Sequence, residues 1–257
     1  MRWIPTRPLL ATLATALLAL TIVPGTCLAD ETDGATTAPT PPERIQTMIE
    51  AERSGVAGLP VIRQYLDDDD PAVRAAAVQM AYSLGGEGEL ERILPLVDDE
   101  SPIVVQAALV GMVALDDPRA IAPVTAALRD GPDAIRAQLA STIGERRDTR
   151  FLDALKPLLA SDKPALRRTA LEAMRATGDP AAFRYLMAAT GDADPRVAAT
   201  AVGGLEAIGD PRARARVTLL AESEHETVRA AVARALPALG PTAASEATLV
   251  TLLADPS

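Results

Sequence analysis

Apolar and polar positions along the chain repeat with a fixed period of 31 residues. The apolar residue that opens one amphipathic segment recurs at Val73, Val104, Ile135, Leu166, Val197 and Val228. A second apolar residue of the same segment recurs at Ala81, Met112, Ile143, Met174, Leu205 and Leu236. Because self-similarity at a period of this size is typical of stacked supersecondary units, the pattern predicts a solenoid.

Each period contains two helical patterns. The first, such as "LERILPLVDD" from Leu90, has apolar residues at i, i+3 and i+4 spacing. The second begins at a proline, which follows an oxygen-bearing cap residue at Asp70, Ser101 and Asp194. Glycines that suit a left-handed helix end follow at Gly85, Gly178, Gly209 and Gly240. We therefore predict a leading helix from Pro41, six helix pairs and a final helix from about Ala244 to Ala254.

The repeated segments resemble a known repeat family. "DPAVRAAAVQMAYSLG" from Asp70 and "DPRVAATAVGGLEAIGDPRA" from Asp194 are similar to short HEAT-like repeats of the phycobilisome-lyase type. The resemblance covers Val56 to about Gly240. It implies an all-α, right-handed solenoid of antiparallel helix pairs, whose inner helices present a concave surface to a protein partner. The candidate partner-binding positions on those helices are Gln79, Gln106, Gln138, Thr169, Glu172, Thr200 and Arg234.

One register of the second helix carries arginine in four repeats, at Arg74, Arg136, Arg167 and Arg229. In similar repeats this arginine meets acidic turn residues of a neighbouring repeat, which gives a structural ladder along the solenoid. Val105 and Ala198 depart from the register, so we expect local irregularities there. The alternative interpretation is an anion-binding stripe. The candidate acidic partners are Asp69, Asp70, Asp130, Asp162, Asp192, Asp194 and Glu224.

A second group of arginines is concentrated in repeats three and four. It comprises Arg146, Arg147, Arg150, Arg167, Arg168 and Arg175. Such a cluster in an acidic protein predicts a docking patch for an acidic partner. The competing interpretation is a solvated rim, since the nearby acidic residues Glu145, Asp148, Asp153 and Glu172 balance the charge.

Composition narrows the classes of partner. The 257 residues are 48% hydrophobic but only 2% aromatic, and the formal net charge is −10. Nucleic acid is excluded as a general partner, because phosphate contacts need Lys and Arg clustered on one face.

The N-terminus has the features of an export signal. Arg2 and Arg7 flank the start of an apolar run, and Cys27-Leu28-Ala29 has the small residues that signal peptidase prefers. We expect residues 1–29 to be a signal peptide, 30–42 a disordered linker rich in Thr, Ala and Pro, and 43–257 the repeat domain. This predicts a periplasmic or extracellular protein with no membrane span after cleavage. Acylation of Cys27, giving a lipoprotein, is the alternative.

The sequence contains few candidate catalytic residues. Deoxyhypusine hydroxylase, which has similar repeats, binds two irons through several His-Glu pairs, whereas this chain has only His225-Glu226. One imidazole cannot build that site. The acidic run from Asp67 to Asp70 lacks the spacing of a calcium loop. We therefore expect no catalytic residue, metal or cofactor.

The sequence thus predicts a non-enzymatic scaffold or adaptor that binds a protein. The alternative is an accessory or lyase-like protein of an enzyme or chromophore-handling system, since bilin lyases have similar repeats. The final helix is unusually apolar for the end of a solenoid, with Leu249, Val250, Leu252 and Leu253. This indicates either a piece of a longer repeat array or an edge that makes an end-to-end contact with a partner.

Overall fold

The computed structural model describes residues 38–240 and 242–253, and every regular element in that part of the chain is helical. The predicted signal peptide and most of the predicted linker lie outside the described residues. In chain order the α-helices are α1 (Pro41–Arg53), α2 (Leu59–Arg63), α3 (Pro71–Gly85), α4 (Leu90–Ile93), α5 (Pro102–Ala114), α6 (Ile121–Asp130), α7 (Asp133–Arg146), α8 (Lys156–Leu159), α9 (Pro164–Thr177), α10 (Ala182–Ala189), α11 (Pro195–Ile208), α12 (Arg214–Leu219), α13 (Glu226–Ala238) and α14 (Ala243–Leu253).

The helices pack in pairs that follow one another along the chain. Each of the six short helices from α2 to α12 packs on the long helix that follows it, and the long helices α3, α5, α7, α9, α11 and α13 pack on one another in chain order. Helix α1 packs on α3, and α14 packs on α13. The all-α solenoid predicted from the 31-residue period is thereby confirmed. We number the pairs as repeats one (α2 and α3) to six (α12 and α13).

The long helices begin where their caps predict. The Asp70 carboxylate accepts hydrogen bonds from the N–H groups of Ala72 (2.8 Å) and Val73 (3.3 Å), and Asp194 caps α11 in the same way. Proline follows as the first helical residue, where its missing N–H is harmless. Ser101 differs from the prediction, because its side chain makes no capping hydrogen bond.

The helix ends match the predicted glycines in repeats four, five and six, where Gly240 has a φ of 93°, but not in repeat one. Gly178 and Gly209 have the expected left-handed backbone, with φ of 73° and 69°. Gly85 was expected to do the same, but it remains inside α3 and the positive φ falls on Gly86 (57°). Repeat three ends with Arg147 at a φ of 56°, a conformation that disfavours a residue with a side chain.

The short helices are less regular than the sequence pattern predicts. The segment from Leu90 forms only one α-helical turn and continues as the 3₁₀ helix Leu94–Asp98. Pro95 explains the change, because it lacks the N–H that an α-helix needs at that position. Similar 3₁₀ segments flank other short helices. They span Gly55–Gly58, Gly86–Glu89, Pro118–Ala120, Thr149–Phe151, Asp153–Leu155, Pro211–Ala213 and Leu220–Glu222.

The core follows the repeat as two hydrophobic clusters. One extends from Met48 to Ala182 and the other from Leu171 to Leu239. Small residues allow close helix approach: a Cβ on Gly144 of α7 would lie 2.9 Å from the Cα of Ala173 in α9. Helix α7 and helix α9 therefore pack nearly backbone to backbone. Within the described residues, no helix combines the length and the apolar composition required to cross a bilayer.

Candidate interaction surface

Arg74 joins two consecutive repeats, because its guanidinium contacts both the next repeat and the turn before its own helix. Its Nε and Nη2 donate to the two carboxylate oxygens of Asp99 at 2.9 and 2.8 Å, which is a bidentate pair. Its Nη1 donates to the backbone carbonyl of Asp68 at 2.7 Å, in the turn before its own helix. Both side chains are largely buried, with 10% and 8% of their surfaces exposed. Arg74 thus fixes its own turn and the start of the next repeat together.

Arg167 repeats this arrangement three repeats later. Its Nε and Nη2 donate to Asp192 at 2.8 and 2.7 Å, and its Nη1 donates to the carbonyl of Ser161 at 2.8 Å. The arginine hydrogen bonds lower the pKa of Asp99 and of Asp192 below the ordinary range. In both pairs the aspartate follows the arginine by 25 residues. We call this bidentate contact a rung.

Other junctions lack one or both residues of a rung. At the junction of repeats two and three, Val105 stands in the arginine register opposite Asp130. At the junction of repeats three and four, Arg136 is present but Ser161 occupies the aspartate register. Arg136 instead donates to the carbonyl of Leu128 (3.0 Å) and to Asp133 (3.1 Å). The ladder is therefore interrupted in the middle of the solenoid.

The acidic partners match those expected for the ladder only in part. Asp70 and Asp194 were placed in it from the sequence, but their carboxylates cap α3 and α11 and accept backbone N–H groups. The rung position lies two residues before the cap residue: at Asp192 before Asp194, as expected, and at Asp99 before Ser101. Asp99 was not among the expected partners. The Asp99 and Asp192 carboxylates each accept one backbone N–H, from Ser101 and Asp194, in addition to the two arginine bonds.

Arg229, the last arginine of the register, contacts the turn before its own helix, and an equivalent arginine lies on the leading helix α1. Arg229 donates to the carbonyls of Ser223 (3.0 Å) and Glu224 (3.1 Å). Arg44, which the sequence comparison missed, forms ion pairs with Asp68 (3.2 Å) and Asp69 (2.7 Å). Its position is the fourth residue of α1, as Arg74 is the fourth of α3. A comparison aligned on the helix-opening proline rather than on the 31-residue period would have found it.

Some arginines of the predicted cluster contact a neighbouring repeat, and others lie on the surface of their own helix. Arg146 donates to the carbonyl of Ala114 (2.8 Å), and Arg150 contacts Asp148, Asp116 (3.1 Å) and the carbonyl of Leu115 (3.1 Å). These contacts join repeat three and the following turn to the end of repeat two. Arg147, exposed at the end of α7, makes none of these junction contacts. Arg168 lies 3.6 Å from Glu172, a half-exposed side chain on the same helix.

The candidate partner-binding positions all lie on accessible parts of the second helices. Gln138, Glu172 and Arg234 are exposed, whereas Gln79, Gln106, Thr169 and Thr200 are half-buried. The Thr169 and Thr200 hydroxyls donate to carbonyls one turn earlier, at 3.0 and 2.8 Å. Because consecutive second helices pack on one another, these side chains lie on one surface that crosses the repeats. We call it the second-helix face.

Metal-binding geometry does not occur in the part of the chain that the structure describes. No group of three or more His, Cys, Asp or Glu side chains there could hold a metal ion. His225 Nε2 lies 3.5 Å from Glu224, and 46% of its side chain is exposed.

Comparisons with known proteins identify a repeat family and solved structures of similar fold. The family model described as HEAT repeats matches residues 35–112, 59–141, 121–196 and 185–257. Among solved structures, human deoxyhypusine hydroxylase in complex with glycerol is similar with a TM-score of 0.42 and 17% identity, over 78% of this chain and 80% of that chain. The complex of CpcE and CpcF of phycocyanin lyase from Nostoc has a TM-score of 0.42 and 17% identity, over 89% and 99%. A comparison with curated proteins gave no match.

Proposed function

Because the chain belongs to the HEAT repeat family, we propose that it is a non-enzymatic scaffold or adaptor that binds a protein partner on its second-helix face. HEAT repeats generally mediate protein binding. Stacked helix pairs suit that role because they form one extended surface from many similar units. The site chemistry supports binding rather than catalysis, since the sequence supplies a single histidine and a single cysteine.

The observation that carries this proposal is the second-helix face itself. The second helices of repeats three, four and six present Gln138, Glu172 and Arg234 to solvent, while the large apolar residues of the same helices are buried in the core. Adjacent helices lie about 8–10 Å apart, so the face offers polar groups at regular intervals across several repeats. Such a surface matches a partner that is long in one direction rather than a small ligand.

We propose an extracytoplasmic location for this binding. The support is the composition of residues 1–29, where two arginines precede an apolar run and small residues precede Asp30. N-terminal sequencing of the secreted protein tests the proposal. A start at Asp30 supports it, an acylated Cys27 places the protein on a membrane, and an intact Met1 contradicts export.

Affinity capture with matched variants tests the binding role. The variant Gln138→Arg/Glu172→Arg/Arg234→Glu changes three exposed side chains of the second-helix face without touching the core. We expect it to lose a protein that the wild type retains, as identified by mass spectrometry. The control variant Arg129→Ala/Glu222→Ala alters exposed side chains of the short-helix side and should retain that protein. Equal retention by all three proteins contradicts the proposal.

A further inference from the structure

A cavity of about 250 Å³ lies at the junction of repeats four and five. Its wall is mostly apolar, with Leu159, Leu171, Ala189 and Val197, and the Arg167–Asp192 rung provides its polar side. The volume is below the roughly 300–1,000 Å³ of most small-molecule sites. It suits one apolar side chain of a larger partner.

Small residues at two positions contribute to the space in this cavity. Ala189 stands at a position where repeats two, four and six carry Leu96, Leu158 and Leu220. Replacing leucine by alanine at this junction removes the side chain that would reach between the two repeats. Gly191, which also lines the cavity, has no side chain to fill the space.

An apolar row, exposed except at the half-buried Pro157, continues from this cavity along the short helices and α14. Pro157, Ala188, Leu219 and Val250 share one register of the 31-residue period, so stacking of the repeats places them side by side. Leu219 and Val250 are the most exposed large hydrophobic residues of the described chain, at 71% and 68%. Exposed apolar side chains in a contiguous row are typical of interaction sites. We call these four residues the apolar row.

Basic side chains accompany the apolar row. Lys156 precedes Pro157, Arg184 lies one helical turn before Ala188, and Arg216 lies three residues before Leu219. Lys156 and Arg184 share the carboxylate of Asp153, at 2.8 and 3.6 Å, so one negative charge faces two positive charges. Arg216 donates to the hydroxyl of Thr190 at 2.8 Å rather than to a carboxylate. The row is therefore locally basic beside Pro157 and Ala188, whereas the exposed Glu222 and Glu246 lie near Leu219 and Val250.

This local charge differs from that of the rest of the chain. Residues 39–132 contain 16 acidic and 7 basic side chains, whereas residues 133–240 contain 14 acidic and 16 basic. An acidic partner is repelled by the first half and attracted by the second. The apolar row lies in the half that attracts it.

We propose that the apolar row and its cavity bind an acidic segment of a protein partner that carries apolar side chains about 10 Å apart. Packed helices lie about 8–10 Å apart, and every third residue of a polyproline II segment lies on the same face and advances by about 9 Å. One apolar side chain enters the cavity beside Ala189, the next covers Leu219, and carboxylates between them face Lys156, Arg184 and Arg216. This surface lies on the short helices and is independent of the second-helix face.

Peptide binding to the purified protein tests the proposal. The probe is a fluorescently labelled peptide of three Asp-Glu-Leu units, and the comparison peptides replace Leu by Ser or replace both acids by Lys. We expect the acidic Leu peptide to bind and both comparison peptides to bind at least about tenfold more weakly. Added salt should weaken the binding, because the carboxylate contacts are exposed.

Matched variants locate the binding. Leu219→Ser and Ala189→Leu should each weaken binding about tenfold, the first by removing apolar surface and the second by filling the cavity. The control Val56→Ser removes an equally exposed apolar residue outside the row. The control Ala127→Leu makes the same change at the equivalent position of repeat three. Neither control should change the binding.

Three results would overturn the proposal. They are no binding of the acidic Leu peptide at about 1 mM, equal weakening by the controls, and binding to phosphatidylglycerol vesicles that the peptide does not compete away. The last result would assign the row to a membrane surface. A variant of the second-helix face that still binds the peptide separates this test from the proposed function, because the two surfaces share no residue.

Discussion

The junction of repeats one and two and the junction of repeats three and four start from the same arginine register and differ in one residue. Arg74 meets Asp99 in a bidentate pair, whereas Ser161 occupies the aspartate register for Arg136, which donates to a backbone carbonyl and to Asp133. A serine hydroxyl cannot accept both arms of a guanidinium as a carboxylate does. A rung therefore requires two residues 25 positions apart, and either can be lost without changing the repeat.

The middle junctions are joined by other charged contacts instead. Arg119 pairs with Glu91, Arg150 with Asp116, and Lys163 with Asp133. These pairs are more exposed than the rungs, so each contributes less to stability. We infer that the buried rungs fix the repeat geometry near Arg74 and Arg167, while the middle of the solenoid depends more on apolar packing.

Removing the arginine of a complete rung should have the largest effect. Arg74→Ala leaves the largely buried Asp99 carboxylate without its partner, so we expect the free energy of unfolding to fall by about 3 kcal/mol. Urea unfolding measures the loss, and hydrogen exchange should show it in repeats one and two, because solenoid units couple chiefly to their neighbours. Loss below about 0.5 kcal/mol would show that the rung has no structural role.

Removing the charge of a rung should have a smaller, pH-dependent effect. Asp192→Asn keeps the shape but not the charge, and we expect a loss of about 2 kcal/mol at pH 7. Because Arg167 lowers the pKa of Asp192, the rung stabilises the protein above the unfolded-state pKa of about 3.9 and is lost as pH falls through the lower folded-state pKa. The difference between wild type and variant should therefore stay constant above about pH 5 and shrink towards pH 3. A difference that grows with acid contradicts the assignment.

Removing the arginine of the incomplete rung should have a modest effect. Arg136→Ala loses one bond to a carbonyl and one to Asp133, so we expect at most about 1 kcal/mol. Hydrogen exchange should locate the change in repeats three and four. A loss as large as that of Arg74→Ala would mean that Asp99 adds nothing to its junction.

The sequence predicted more of the fold than of the surface chemistry. The 31-residue period and the Asp-Pro caps located the long helices, because helix starts depend on local residues such as Asp70 and Pro71. The rungs were harder to predict from the sequence, since each depends on a partner in the next repeat. Asp70 was expected in the ladder, yet the structure assigns that role to Asp99. The apolar row also escaped notice, because exposure of Leu219 is set by the neighbouring repeats rather than by its own helix.

Completing the missing rung should have the smallest effect. Ser161→Asp places a carboxylate 25 residues after Arg136, so we expect a gain of about 0.5 kcal/mol as Arg136 changes partner. The gain should disappear in the background Arg136→Ala. Asp162→Ser, which changes the neighbouring exposed residue, serves as the control and should leave the Arg136 contacts unchanged.

A double-mutant cycle on Arg74 and Asp99, run beside the same cycle on Arg136 and Ser161, tests the ladder most directly. The free energies of unfolding of wild type, both single alanine variants and the double variant give the coupling energy of each pair. We predict a coupling of about 2 kcal/mol for Arg74 with Asp99 and less than about 0.5 kcal/mol for Arg136 with Ser161. Equal couplings in the two cycles would contradict the conclusion that the aspartate 25 residues after the arginine decides whether a junction has a rung.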